Sequence, residues 1–393
     1  MFEKLSSPKP DAILALLATY NADTRPDKMN LGVGVYMNEK GETIILDSVK
    51  KAEARLLEAE TTKTYVGLSG DKGYNQAMQE IVFGDSVANE RVNGVQATGG
   101  SGALRVLSKL TARMRPDAKV YVSDPTWPNH YALLQTEHTE IEHYPYFDAA
   151  TCSVDFAAMA AKLRTLTAND VVVLHGCCHN PTGANLSNEQ WDEVAEIAVE
   201  VGFLPFIDIA YQGFGDGLEA DAYGVRKLAS SVDEMLVAVS CSKNFGIYRD
   251  RVGCAFAIGK DQASAELANA NMQNISRGIY SMPPDHGASV VRIIWDNPEL
   301  RQLWQDELVA MCTRMTSLRN KLADEFKRQS GGDKFEFIRI HRGMFSLMGL
   351  SVEQVIELRD AHGIYMIEDS RVNIAGLQEE NIPRVVKSIL AVS

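Results

Sequence analysis

The stretch MLVAVSCSKNFGIYRDRVG, residues 235–253, decides how the whole chain is read. An apolar run, Met235 to Val239, has the character of a strand buried on both faces. It ends on Ser240, Ser242 and Lys243, with Arg249 and Arg251 just beyond. A lysine there is either solvated, as most lysines are, or a partly desolvated nucleophilic amine in a cleft. The ends of the other strands decide between these readings.

Comparable runs at Lys119–Ser123, Val171–Leu174, Phe203–Ile207 and Cys254–Ile258 alternate with segments of helical periodicity. In Asn188–Val201, for example, Trp191, Val194, Ile197, Ala198 and Val201 recur at helical spacing behind a Ser187 cap. The alternation predicts an α/β fold with a largely parallel sheet flanked by helices. From Pro298 the character changes. A long charged helix over 299–329 leads to a Gly-Gly-Asp turn at 331–333, then to short strands around Phe335–Ile340 and Met344–Leu347. A helix at 351–362 and a final helix from Asn381 complete a smaller α+β domain. The first 45 residues, with LGVGVYMNEKGETIIL, fit neither rhythm and are expected to return to that domain.

Bulk properties exclude several classes. With 393 residues the chain is long enough for two domains, and at 45% apolar and 23% charged it has the composition of a globular protein. A net charge of −13 argues against nucleic acid, which requires a basic face. No apolar window is long enough to span a bilayer, and MFEKLSSPKPDAILALL is a poor signal peptide. The six cysteines include the adjacent pair Cys177–Cys178 and no CxxC unit, which points to reduced thiols in a cytoplasm. HGCCHN at 175–180 suggests a metal, but strand neighbours point to opposite faces and no second ligand pair follows, so no metal is expected.

In an open parallel sheet, ligands sit beyond the carboxyl ends of the strands. There this chain delivers Asn180, Pro181 and Gly183 after VVVLH, Asp208 and Tyr211 after FLPFI, and Ser240, Ser242, Lys243 and Arg251 after MLVAV. TGGSGALR at 98–105 opens a helix whose free N–H groups suit a phosphate, although it matches neither the P-loop nor GxGxxG. Taken singly, each has an innocent reading: Asn-Pro-Thr-Gly is good turn chemistry, and an aspartate at a strand end is often a cap. Together they supply an amine, a carboxylate, partners for a phenolic oxygen, hydroxyls, an arginine and a helix N-terminus. That set matches pyridoxal phosphate. Lys243 would condense with the aldehyde and later move the substrate proton. Asp208 would keep the pyridine nitrogen protonated, and Asn180 and Tyr211 would hold the phenolic oxygen. Gly100, Ser101, Ser240, Ser242 and Arg251 would hold the phosphate, and Trp127 would stack on the ring.

SCSKNFGIYRDRVG, IDIAYQGFGDG, LHGCCHNPTG, SDPTWPNH and SRVNIAGL resemble the aspartate and aromatic aminotransferases of fold type I, from about Asp11 to the C-terminus. The likeness is greatest to the bacterial aromatic-amino-acid branch. The resemblance implies a large domain with a mostly parallel seven-stranded sheet over 46–310, a small domain formed by 13–45 with 311–393, and an N-terminal arm over 1–12. It implies a homodimer with shared active sites, with Tyr65 reaching the phosphate of the other subunit. It assigns Arg371 to the substrate α-carboxylate, Gly34 to the segment covering the substrate, and Trp127 and Asn180 to its surroundings. Arg277 would reach across the dimer to the side-chain carboxylate of aspartate or glutamate. Three departures stand out: Met282 where aspartate-specific relatives carry asparagine, Ser101 for threonine, and Met37 for lysine. Two adaptable methionines imply a more accommodating pocket.

The expected activity is transfer of the amino group of aromatic amino acids and aspartate to 2-oxoglutarate, in two half-reactions through pyridoxal and pyridoxamine phosphate. The alternative is a strictly dicarboxylate-specific aspartate aminotransferase. A decarboxylase or β-lyase would use the same cofactor site, but an arginine holding the α-carboxylate favours Cα–H cleavage.

Overall fold

Side-chain alternation along the apolar runs sets the architecture of this computed structural model, which describes residues 2–6, 12–137 and 139–393. Val171 and Val173 enter one hydrophobic cluster, while Val172 and Leu174 enter another on the opposite face. Leu204 and Phe206 divide in the same way from Ile207 and Ile209, and Leu236 and Ala238 from Val237 and Val239. A sheet that is apolar on both faces is stable only when both are covered. Helices Gly99–Met114 and Gln262–Ile279 cover one side; Lys72–Phe83, Asn188–Val201, Tyr223–Ser231 and His286–Asp296 cover the other.

The central sheet has seven strands: β1 (Val92–Thr98), β2 (Lys119–Asp124), β3 (Glu140–Pro145), β4 (Val171–His175), β5 (Leu204–Ile209), β6 (Met235–Ser240) and β7 (Val252–Ile258). Their order is β1-β7-β6-β5-β4-β2-β3. Only β7 runs against the other six strands, pairing Val252 with Thr98 of β1 and Gly253 with Ser240 of β6. The start of β7 therefore lies at the edge where the other strands end.

Helix boundaries follow local chemistry. Ser187 and Gln190 form a capping box at the start of Asn188–Val201, and Gly202 ends that helix at φ 80°. The long helix Pro298–Ser330 starts behind an Asn297 cap with proline in its first turn, and it stops at Gly331 with φ 71°.

A third cluster gathers Leu31 with Leu318, Leu322, Phe326 and residues out to Ile389. Its backbone includes the antiparallel pair β8 (Phe345–Leu347) and β9 (Arg371–Asn373). Met29–Asn30 pairs in parallel with Ile364–Tyr365, so the first residues do return to this part of the chain. One expectation is corrected here: Phe337–Ile340 is a short helix, not a strand. Phe335 and Ile338, three residues apart, are both buried, and Phe335 stacks on Phe326 at 3.9 Å. Ile340, meanwhile, is 75% exposed. That spacing suits a helical turn and not a strand. Of the N-terminal arm, Phe2–Lys4 forms a short turn, while Met1 and residues 7–11 lie outside the described residues. Among the described residues no helix is long and apolar enough to cross a membrane.

Candidate active site

One cavity of about 240 Å³ opens at the carboxyl edge of the sheet. Its lining includes Gly34, Gly100, Ser101, Trp127, Asn180, Asp208, Tyr211, Ser240, Ser242, Lys243, Arg251 and Arg371; of the residues expected to hold cofactor or substrate only Tyr65 and Arg277 are missing, and Met37 and Met282, expected to shape the pocket, do not line it. Tyr65 is 86% exposed, and Arg277 is exposed near the end of helix Gln262–Ile279, where it hydrogen-bonds Ser281.

Lys243 leaves the end of β6 into the cavity wall. Among the described residues no hydrogen bond or ion pair engages its amine, which sits 4.9 Å from the centre of the Tyr211 ring. Burial lowers its pKa to about 8; Asp208 opposes the shift, while Arg251 and Arg371 add to it. Asp208, near the end of β5, is treated differently. Burial pushes its carboxyl up, but the hydrogen bond from His130, with His175 and Lys243 nearby, outweighs burial, and the net direction is down.

That hydrogen bond runs from His130 Nε2 to Asp208 Oδ2 at 3.1 Å. A carboxylate can only accept, so Nε2 carries the proton, and in the neutral ring Nδ1 accepts from the Thr126 hydroxyl at 2.8 Å. His175 lies edge-on to His130, with ring centres 5.1 Å apart, and His179 is 4.1 Å beyond. Burial drives both of these histidines well below the usual imidazole range, so they are neutral.

The opposite wall is cationic. Arg371, on β9, donates from Nη1 to Asn180 Oδ1 at 3.0 Å and lies 4.2 Å from the centre of the Phe345 ring. Asn180 Nδ2 has no hydrogen bond among the described residues and is left to donate into the cavity. Tyr211 is buried, and burial raises its phenol above the ordinary range, with Arg371 opposing.

The third wall is an anion cradle. Gly99, Gly100 and Ser101 form the first turn of helix Gly99–Met114, whose leading N–H groups lack intrahelical acceptors. A Cβ on Gly100 would stand 2.9 Å from the Ser240 Cβ, and one on Gly99 2.5 Å from Arg251 Nη2. Only glycine allows this approach. Arg251 adopts φ 55°, and its Nη1 donates to Ser242 Oγ at 3.3 Å and to the Tyr248 carbonyl at 3.1 Å.

The donor set fits pyridoxal phosphate group by group. It offers an unpartnered amine for the aldehyde, a stabilised carboxylate for the pyridine nitrogen, Asn180 and Tyr211 for the phenolic oxygen, and the cradle for the phosphate. Tyr248 and Phe345 line the same cavity and were not anticipated from sequence, nor was His130 as the partner of Asp208. The only available signal for Tyr248 was its place five residues after Lys243.

At HGCCHN the thiols are placed differently from the expected strand alternation. Strand β4 ends at His175, and Cys178 turns at φ 49°, so the adjacent thiols do not alternate across a sheet. Both come within 4.8 Å of an Asp221 oxygen. That carboxylate already accepts backbone N–H bonds from Gly213, Gly215 and Asp216. All six cysteines are free thiols.

Comparison with known proteins agrees with the geometry. The family model for aminotransferases of class I and II matches residues 26–389. The aromatic-amino-acid aminotransferase of Paracoccus denitrificans is 49% identical over the full length of both chains. An aspartate aminotransferase of Salmonella typhi is 43% identical, also over the full length of both. The crystal structure of an aromatic-amino-acid aminotransferase from Burkholderia pseudomallei, covalently bound to pyridoxal phosphate, superposes with a TM-score of 0.97 at 40% identity, covering 100% of this chain and 99% of that one. The chain belongs to the class I and II aminotransferases.

Proposed function

We propose that this aminotransferase uses pyridoxal phosphate in the cavity at the sheet edge to move amino groups from both aromatic amino acids and aspartate to 2-oxoglutarate. The observation that carries the reading is that an unpartnered amine, Lys243, shares one small cavity with a stabilised carboxylate, Asp208, and a buried guanidinium, Arg371.

Bound pyridoxal phosphate supplies an aldehyde carbon and a protonated ring that takes up the electron pair left when the substrate Cα–H bond breaks. The residues supply the rest. His130 helps keep Asp208 ionised, so that its carboxylate would pair with the pyridine nitrogen. Asn180 and Tyr211 donate to the phenolic oxygen, and Trp127 lies against the ring. Gly100, Ser101, Ser240, Ser242 and Arg251 hold the phosphate by N–H, hydroxyl and guanidinium donors. Arg371 would take the α-carboxylate as a bidentate pair, orienting the substrate for cleavage of Cα–H and not of the carboxylate bond. Lys243 Nζ, the amine that would condense with the aldehyde, is also the base that would hold and move the substrate Cα proton.

A homodimer completes the site. Tyr65 and Arg277 are exposed and outside their own cavity, which supports a role for each in the cavity of a second copy: Tyr65 at the phosphate and Arg277 at a substrate side-chain carboxylate. Gly34 lies over the cavity with no atom within 4 Å of where its Cβ would be, which suits a segment that covers the substrate. The third hydrophobic cluster, which joins Leu31 to residues between Leu318 and Ile389, supports a small domain of 13–45 with 311–393 beside a large domain of 46–310. Six free thiols favour a reducing compartment, the cytoplasm. Met37 and Met282 lie outside this cavity; the apolar side chains of Leu104, Trp127, Tyr248 and Phe345 within it favour aromatic side chains beside dicarboxylates.

The test is the visible spectrum of the purified holoenzyme, recorded with phenylalanine and, separately, with aspartate, for the parent and for Arg277→Leu. In the parent, both amino acids should bleach the yellow chromophore. Arg277→Leu should need far more aspartate and an unchanged concentration of phenylalanine. Bleaching of the parent by aspartate alone would refute the aromatic reading, and a protein that never becomes yellow would refute the whole proposal.

A further inference from the structure

Arg319, on the long helix Pro298–Ser330, is 1% exposed, and among the described residues no carboxylate pairs with it. Its Nη1 donates to the Ile338 carbonyl at 3.2 Å and to Ser346 Oγ at 2.7 Å. Its Nη2 donates to the carbonyls of Gly343 and Phe345 at 2.7 and 2.8 Å. Among the described residues Nε has no partner. A buried guanidinium without a counter-ion is costly, and burial lowers its pKa to about 9. An apolar residue would stabilise a helix at less cost, so the four bonds, all to the stretch 338–346, indicate where the guanidinium acts.

That stretch forms one side of the proposed carboxylate site. Strand β8 pairs Leu347 with Arg371, Ser346 with Val372 and Phe345 with Asn373. Its register therefore sets where Arg371 leaves the backbone, and its first residue supplies the ring 4.2 Å from the Arg371 guanidinium. The same stretch is bound to the turn that carries Asn180: Arg342 N donates to Gly183 O at 2.8 Å, and Leu347 N to Thr182 O at 3.3 Å. Ser346 also connects onward. Its hydroxyl lies 3.0 Å from His341 Nδ1, while His341 Nε2 lies 2.8 Å from the Cys152 carbonyl. A carbonyl only accepts, so Nε2 holds the proton, Nδ1 accepts from Ser346, and the Ser346 oxygen is left to accept from Arg319.

We infer that Arg319 is a positioning residue for carboxylate recognition, fixing β8 so that Arg371, the Phe345 ring and Asn180 present one preformed clamp. The inference rests on the proposed role of Arg371. A guanidinium is needed because its planar fork reaches several acceptors in fixed directions.

The test uses the holoenzyme and 3-phenylpropionate, a monocarboxylate without an amino group, with binding read from the perturbation of the cofactor absorbance. Arg319→Met should raise its Kd by about tenfold or more, since bidentate pairs depend steeply on geometry. The affinity for pyridoxal phosphate should fall by no more than about threefold, because the phosphate cradle and Lys243 lie on other elements and only Asn180 is shared with the clamp. A general loss of structure would weaken both. Ser346→Ala keeps the strand and should weaken phenylpropionate by about threefold, with no further loss when added to Arg319→Met. An unchanged Kd in both single variants would overturn the inference. If Arg319→Met does not fold, Ser346→Ala decides alone. Arg371→Leu separates the two levels: if it too leaves phenylpropionate binding intact, the proposed site is wrong, whereas loss there with none at Ser346 and Arg319 overturns only the positioning role.

Discussion

The lowered pKa of Lys243 makes a quantitative prediction for the cofactor-free protein. Burial, reinforced by Arg251 and Arg371, brings the amine from 10.5 to about 8. At pH 7 an amine of pKa 8 is about one-eleventh neutral and one of pKa 10.5 about one part in three thousand, so the reactive fraction rises roughly 300-fold. The sign follows from the titration: the neutral form grows with pH until the folded-state pKa is passed, then levels off. The rate at which Lys243 condenses with pyridoxal, which lacks the phosphate and so does not depend on the cradle, should climb with unit slope in log rate and flatten near pH 8. Borohydride trapping followed by mass analysis of the Lys243 peptide measures that rate site by site. Asp208→Asn removes the one neighbour that opposes the shift, so its inflection should move below that of the parent, by up to about one unit. Arg371→Leu should move it up. A parent profile that still climbs beyond pH 9.5, with no plateau, would refute the view that burial activates this amine.

Two further predictions concern the frame of the site. Gly99→Ala forces an L-residue to φ 71° and drives its Cβ to within 2.5 Å of Arg251 Nη2; the arginine should be displaced and the dissociation constant for pyridoxal phosphate, measured by equilibrium dialysis, should rise about tenfold. Trp304, fully buried, stacks on Phe245 at 4.4 Å and donates to the Asn244 carbonyl at 2.8 Å, next to Lys243. Trp304→Phe should cost about 1–3 kcal/mol for the unsatisfied carbonyl and Trp304→Ala about 3–5 kcal/mol, read from urea midpoints.

What could be read from the sequence follows from where apolar side chains are needed. Strands β4, β5 and β6 are buried on both faces, so each is an unbroken apolar run with its functional residue at the end. Strand β1, VNGVQAT, was not legible because a buried polar residue interrupts it. Gln96 is fully buried, yet its amide is satisfied by Asp71 N and the Pro284 carbonyl, contacts 25 and 188 residues away. Strand β3 lies at the sheet edge and carries Glu140 and Glu142, which pair with Lys119, so its pattern resembles a loop. Lys243 and Asp208 could be inferred because strand ends select them locally. His130 could not, because its partner is 78 residues away and nothing in PNHYALL marks it. Arg319 sits between Arg314 and Arg328 on one charged helix, and only the packing distinguishes the buried cation from the half-buried Arg314 and the exposed Arg328.

Lys243 and Asp208 have opposite requirements within one cavity. The first must lose its charge near neutrality, and the second must keep its own. Burial alone disfavours both charges, so depth in the fold cannot be what separates them. The separation comes from partners. Asp208 has a histidine hydrogen-bonded to it and held in one orientation by Thr126, whereas the Lys243 amine has no hydrogen-bond partner among the described residues, and burial with two guanidinium groups outweighs the pull of Asp208 on its charged form. The cationic side is in turn a product of topology. Because β7 alone runs antiparallel, its first residues lie among the carboxyl ends of the others, and Arg251 reaches the cavity from a strand that a fully parallel sheet would have started at the far edge. One reversed strand and one buried histidine thus set the two groups apart, the pattern expected of paired acid and base roles in a single site.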